Sequence, residues 1–298
     1  MEIAKSAAEE ARSLGNDRLL ASALGQMGRI AMWSTDDAAA VRYVGEALEI
    51  SRRLGDKKAL IFNLRQMGNA IVGTEPGRAR TFHEESVQLA REAGDRRAEA
   101  TGLNSMAIAI QLEGDKKKSL AVYAQALELN RAHKDRMGTA MVLSNMAGVS
   151  AIIGDLDAAE RIAKESIAIS IEIGSPSTLP TAQVALADTF IRRGRYPEAL
   201  SQIRELAEGL KTMGVPPFAV AILAGILKVR TGDRKKGRAW IGFSRAHDPS
   251  RREIEDHIES YADDIRGDDS KEEVEAAMRA GEGLKLEDIV AEVEQGGL

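Results

Sequence analysis

The chain has no cysteine, which excludes disulfides, thiolate metal sites and cysteine nucleophiles. Aromatic residues make up only 4%. The apolar set is mostly alanine and leucine, a mix that suits close-packed helices better than sheets. No apolar run approaches the roughly 20 residues needed to span a bilayer. The stretch Met1 to Gly15 carries Lys5, Glu9, Glu10 and Arg12 and lacks a signal-peptide core. The chain therefore reads as soluble and cytoplasmic. Also missing are a Gly-x-x-x-x-Gly-Lys-Ser/Thr phosphate loop, a Gly-x-Ser-x-Gly elbow and a His-Glu-x-x-His metal motif. The expectation is a protein that is not an enzyme and needs no cofactor or metal.

The isolated polar groups do not alter that expectation. His83, His133, His247 and His257 are scattered, and two of them, His133 and His247, fall at helix ends, where the dipole favours a cation. The carboxylate pairs Asp36-Asp37, Asp263-Asp264 and Asp268-Asp269 sit at polar corners or in an acidic tail, and read as caps and solvated faces. Lys116-Lys117-Lys118 and Arg234-Lys235-Lys236 open helices and read as solvated outer faces. Trp33 and Trp240 read as core or rim. The net charge of −5 hides an asymmetry: residues 250–298 hold 16 acidic against 6 basic side chains, or −10, which leaves +5 on residues 1–249. A weakly positive body with a strongly negative tail does not suit a nucleic-acid binder.

What is present is a repeat. Helix ends recur at Gly15, Gly55, Gly94, Gly174 and Gly214, with Lys134 filling the missing place. Glycine after a helix adopts the left-handed cap conformation, and Asp56, Asp95 and Asp135 follow directly, placed to cap the next helix. A second set of corners lies between them, at Thr35-Asp36, Glu75-Pro76-Gly77, Gly114-Asp115, Gly154-Asp155, Gly194-Arg195 and Gly232-Asp233. Each repeat is thus a helical hairpin. First helices carry a large-x-x-large-small core: Leu24/Met27/Gly28, Leu64/Met67/Gly68, Leu103/Met106/Ala107 and Leu143/Met146/Ala147. Second helices alternate small and large residues, as in Ala47-Leu48 and Ala126-Leu127. All seven prolines, Pro76, Pro176, Pro180, Pro197, Pro216, Pro217 and Pro249, fall at corners or first turns, never inside a helix, where one would cost about 3 kcal/mol.

These hairpins resemble tetratricopeptide repeats. The small residues at Gly28, Gly68, Ala107, Ala147, Ala47 and Ala126 stand where that family needs them. Most units run about six residues longer than the family's standard length. The resemblance implies an all-α, right-handed superhelical solenoid of about six hairpins over residues 1–249, with residues 1–15 as a second helix lacking its first. Residues 250–298 break the period and read as an acidic helical cap, with helices over Arg251–Arg266, Val274–Ala280 and Asp288–Val293. The segment Ala276 to Ala291 resembles the closing segment of bacterial multidomain signalling regulators. Together with the half hairpin, this makes the chain the expected C-terminal piece of a longer regulator.

In such repeats the first helices line a concave groove. That implies Arg29, Arg65, Asn69, Asn104, Gln111, Asp188 and Arg192 as groove residues. Arg65 and Asn69 lie four apart on one face. Asn can satisfy both backbone groups of an extended peptide, and Arg can take a carboxylate at two points. The co-chaperone members of the family clamp terminal carboxylates with a Lys/Asn set whose lysines this chain lacks. The reading is a protein- or peptide-binding module of a bacterial signalling protein, without direct nucleic-acid or membrane contact. The rival is a domain that senses a small-molecule inducer and gates an upstream ATPase, as in the maltose-operon activator class. A peptide-pheromone receptor would need a DNA-binding headpiece that this sequence does not contain.

Overall fold

A computed structural model of the chain describes all residues except 34, 35, 176, 216, 248–250 and 296–298, together with the side chains of 33 and 251–253. The chain divides into two compact units, Met1–Gly138 and Thr139–Leu298, so the boundary in contacts runs inside the repeat array.

In the first unit the helices are α1 (Glu2–Ser13), α2 (Asp17–Trp33), α3 (Asp37–Leu54), α4 (Lys57–Ile71), α5 (Pro76–Glu92), α6 (Arg96–Leu112) and α7 (Lys116–Ala132). Each packs on the next, and α2, α4 and α6 also touch in succession, forming a layer of first helices. The helix α8 (Arg136–Ile152) carries the chain into the second unit. That unit holds α9 (Leu156–Glu172), α10 (Leu179–Arg192), α11 (Tyr196–Thr212), α12 (Phe218–Thr231) and α13 (Arg234–His247). It ends with α14 (Arg251–Ser260), α15 (Ala262–Arg266), α16 (Lys271–Arg279) and α17 (Leu286–Gln295). Among the described residues no strand occurs and no helix is long and apolar enough to cross a membrane.

The corners form for local reasons. Gly55 has φ +63°, its N–H bonds Arg52 O, and Asp56 N–H bonds Ser51 O, which closes the Schellman pattern at the end of α3. Gly15, Gly94, Gly174 and Gly214 repeat the left-handed step. Lys134 also takes it, at φ +56°, the one non-glycine with positive φ among the described residues. The aspartates act as expected: Asp56, Asp95 and Asp135 accept from the N–H of Ala59, Ala98 and Gly138. Pro76, Pro180 and Pro197 occupy first turns, and Pro217 is the N-cap of α12. Pro176, Pro216, Pro249 and Thr35 lie outside the described residues.

The small-residue positions are close approaches. A Cβ at Gly28 would stand 2.2 Å from Val44 Cγ2, and one at Gly68 would stand 2.4 Å from His83 Cε1. Around them Leu24, Leu64, Leu103 and Leu143 are almost fully buried, each removing an apolar side chain from water for about 1.5–3 kcal/mol. Exposed ion pairs run along the second-helix layer, Arg12–Glu46 at 2.7 Å and Arg52–Glu85 at 2.9 Å.

The expected helix over Arg251–Arg266 is broken into α14 and α15 at Tyr261, whose side chain is buried. Ile254 and Ile265 are buried with it, while Ile258 is only half-buried. Helices α15 and α17 pack on α12, and α16 packs on α13, whose Trp240 and Phe243 are core residues.

Candidate functional site

The seven residues that the sequence places in one groove fall in both units. Five belong to the first unit. Arg29 on α2 is half-buried, and its Nε donates to Gln26 Oε1 at 3.0 Å. Arg65 and Asn69 are half-buried on α4. The Arg65 guanidinium lies over the ring of Phe62, 5.6 Å from its centroid, as two residues three apart on one helix face must. Gln111 is half-buried on α6 and already engaged, since Tyr123 Oη donates to its Oε1 at 3.3 Å and Lys116 Nζ to its backbone O at 3.1 Å. Asn104 is a correction: instead of facing solvent on α6 it is buried, 7% exposed.

Arg65 has unusual surroundings. Burial and the nearby Arg29 both lower its pKa, and no ion pair or hydrogen bond from a described residue compensates it. Beneath it, His83 of α5 is fully buried and neither ring nitrogen has a partner among the described residues. Burial, then the charge of Arg65, push the His83 pKa down to about 4. The local field is therefore positive, with a guanidinium held in it by Phe62 and the wall of α4. Such a recess favours an incoming carboxylate. Nothing in the local sequence pattern distinguished His83 from a surface histidine. Phe62, three residues before Arg65, could have been found from spacing alone.

The other two residues belong to the second unit, where Asp188 is again a correction. Instead of facing solvent it is 2% exposed, because α14 and the start of α15 lie across it. Tyr261 Oη donates to Asp188 Oδ1 at 2.6 Å, His257 Nε2 stands 3.2 Å from the same oxygen, and Arg192 Nε donates to Oδ2 at 2.8 Å. Arg192 also donates to Ser260 Oγ at 2.8 Å and lies 4.4 Å from the centroid of the Tyr261 ring. Burial alone would raise the Asp188 pKa, but His257 and Arg192 outweigh it and hold the carboxyl well below its usual range. Burial and then the Asp188 charge push the Tyr261 hydroxyl far up, so it donates as a neutral phenol. His257, Ser260 and Tyr261 share one helix face by spacing, a signal that was present in the sequence but gave no clue to its target 69 residues away.

Among the described residues no group of three or more His, Cys, Asp or Glu side chains could hold a metal ion. The basic run Lys116-Lys117-Lys118 opens α7; Lys116 is half-exposed and bonded to Gln111 O, the other two exposed. Lys236 of the second run pairs with Glu292 at 2.6 Å.

No family model and no curated protein matches the sequence. Solved structures do match. The Rap protein complexed with competence and sporulation factor superposes with a TM-score of 0.75 at 14% identity, over 96% of this chain and 80% of its own. Together with the hairpin corners, that decides the architecture. The fold is that of a tetratricopeptide-repeat protein. Aspartyl phosphate phosphatase F from Bacillus subtilis is similar at 12% identity and a TM-score of 0.68, over 96% of this chain and 73% of that one. A signal-transduction ATPase with numerous domains from Pyrococcus horikoshii, which carries a tetratricopeptide-repeat sensor, matches at 14% identity and a TM-score of 0.59. That match covers 86% of this chain but 38% of that one. At these identities the likeness concerns the tetratricopeptide fold alone.

Proposed function

We propose that this tetratricopeptide-repeat chain is a protein- or peptide-binding scaffold that works as the interaction module of a bacterial signalling protein, without catalysis of its own. Its partner lies along the first-helix face of the first unit and places an acidic group against Arg65. The observation that carries this reading is the half-buried Arg65 guanidinium, beside a second arginine and without a carboxylate from any described residue. A desolvated charge costs free energy unless it is paired, and an incoming carboxylate supplies the pair. Phe62 contributes an apolar wall and Asn69 a backbone-reading amide one turn away.

The test starts with recovery of partners by pull-down on the wild-type chain, followed by calorimetry on each pure partner. Asn69→Ala should leave backbone groups of the partner unpaired and weaken binding by about 1–3 kcal/mol. Arg65→Ala should weaken binding and flatten its salt dependence. Affinity that ignores both changes but is abolished by substitutions at Lys117 and Lys118 would place the site on the α7 side. Recovery of a small molecule in place of a protein, by native mass spectrometry, would favour the inducer-sensor reading. Pure protein should turn over no ATP.

A further inference from the structure

In the second unit a later segment of the chain lies against α10. Asp188 directly follows the small residue Ala187, as Arg29 follows Gly28 and Asn69 follows Gly68. These are equivalent repeat positions, yet Arg29 and Asn69 remain half-exposed while Asp188 is covered by α14 and Tyr261. The cover is specific. Two donors of this segment, Tyr261 Oη and His257 Nε2, converge on one carboxylate oxygen. Arg192 ties the other oxygen to Ser260 and stacks on the Tyr261 ring. From α12, Arg230 also lies over that ring, 5.5 Å from its centroid, and pairs with Asp264 at 2.7 Å.

This is the chemistry of helix recognition, met inside one chain. The segment presents His257, Ser260 and Tyr261 from a single face, and the receiving helix presents Asp188 and Arg192 one turn apart. Apolar anchoring is thin: of the described α14 side chains only Ile254 is buried, and Tyr261 follows at its end. Helix α12 beneath, by contrast, has Val220 to Val229 buried without a break. The segment therefore opens at lower cost than the helices it covers.

We infer that residues 254–264 are a resident ligand of the α10 face, and that this face receives a partner's amphipathic helix bearing a tyrosine with a histidine one turn before it. The segment and the partner compete. Lifting the segment exposes a carboxylate that keeps Arg192 as its ion-pair partner among the described residues, and the incoming helix restores the lost donors.

A labelled peptide of residues 251–266 serves as the probe, titrated by fluorescence anisotropy into the full chain and into a His257→Ala/Tyr261→Phe double variant. These substitutions loosen the segment and leave α10 intact. Loss of two hydrogen bonds to a charged acceptor should let the variant bind the peptide at least about tenfold more tightly than the wild type does. Adding Arg192→Met should abolish that gain. Hydrogen exchange accompanies each titration. In the double variant, α14 amides should lose protection while those of α12 and α13 keep theirs. The inference is overturned if α14 in the wild type exchanges only together with α12. It is equally overturned if α14 is loosened in the variant and no peptide binds.

Discussion

The imidazole of His83 occupies the space that a side chain at residue 68 would need, for a Cβ on Gly68 would stand 2.4 Å from its Cε1 and 2.6 Å from its Nε2. The pair fixes how closely α4 and α5 approach. Gly68→Ala should therefore cost about 1–3 kcal/mol, the range for overpacking a filled core. Combining it with His83→Ala should recover part of the loss, giving a favourable coupling in a double-mutant cycle by urea unfolding. Additive effects would show that the contact is not what holds the helices apart.

His83 also gives the first unit an acid sensitivity. Its folded-state pKa of about 4 lies below the ordinary 6.5, so the unfolded chain takes up the proton first as pH falls. Stability is present in full above pH 6.5 and is lost as pH drops from 6.5 towards 4, by on the order of 3 kcal/mol in all. His83→Leu removes two unpartnered ring nitrogens as well as the titration. Its unfolding free energy should be flatter across that window than that of the wild type, measured by denaturant titration at half-unit steps of pH.

Lys134 takes the left-handed step that glycine takes at the equivalent corners. A side chain in that conformation is strained by roughly 1–2 kcal/mol, part of which is set against the greater freedom of glycine in the unfolded chain. Lys134→Gly should thus stabilise the protein by about 1 kcal/mol. A lower unfolding midpoint would show that other contacts of Lys134 outweigh the strain.

Residues 251–298 are proposed to close the array. Ile265, Val274, Met278, Ile289 and Val293 are buried on helices that pack against α11, α12 and α13. Removing them uncovers the apolar surfaces of those helices, including Trp240. A chain ending at residue 250 should aggregate or melt at a clearly lower temperature in calorimetry. An unchanged melting curve would refute the capping role.

The parts of this fold that were legible in the sequence are those set by neighbours in the chain. Gly55 and Asp56 specify their own corner through bonds no more than five residues long. Lys134 was legible only through the period, because nothing local asks a lysine to turn left-handed. The packing role of Gly68 could be read, but not its partner, since the ring that fills the space comes from another helix. Asp188 shows the limit most clearly. Its register matches Arg29 and Asn69, so spacing puts it on the same open face. Only the path of a segment 69 residues further on buries it. Asn104 failed for a related reason: its register is right, but the depth to which α6 sinks between its neighbours is a property of the packing.

The ion pairs along the second helices have a consequence apart from stability, which at their exposure is slight. In both Arg12–Glu46 and Arg52–Glu85 the earlier hairpin offers the cation and the later one the anion. At these two positions α3 thus has unlike edges, Glu46 towards its predecessor and Arg52 towards its successor. A unit of this kind tells forward from backward but not first from second. One more copy of such a hairpin, duplicated in the gene between its neighbours, would meet a matching charge on either side. A copy stacked in reverse would set arginine against arginine. At these two joints the charges thereby favour one direction of stacking and leave the number of units open.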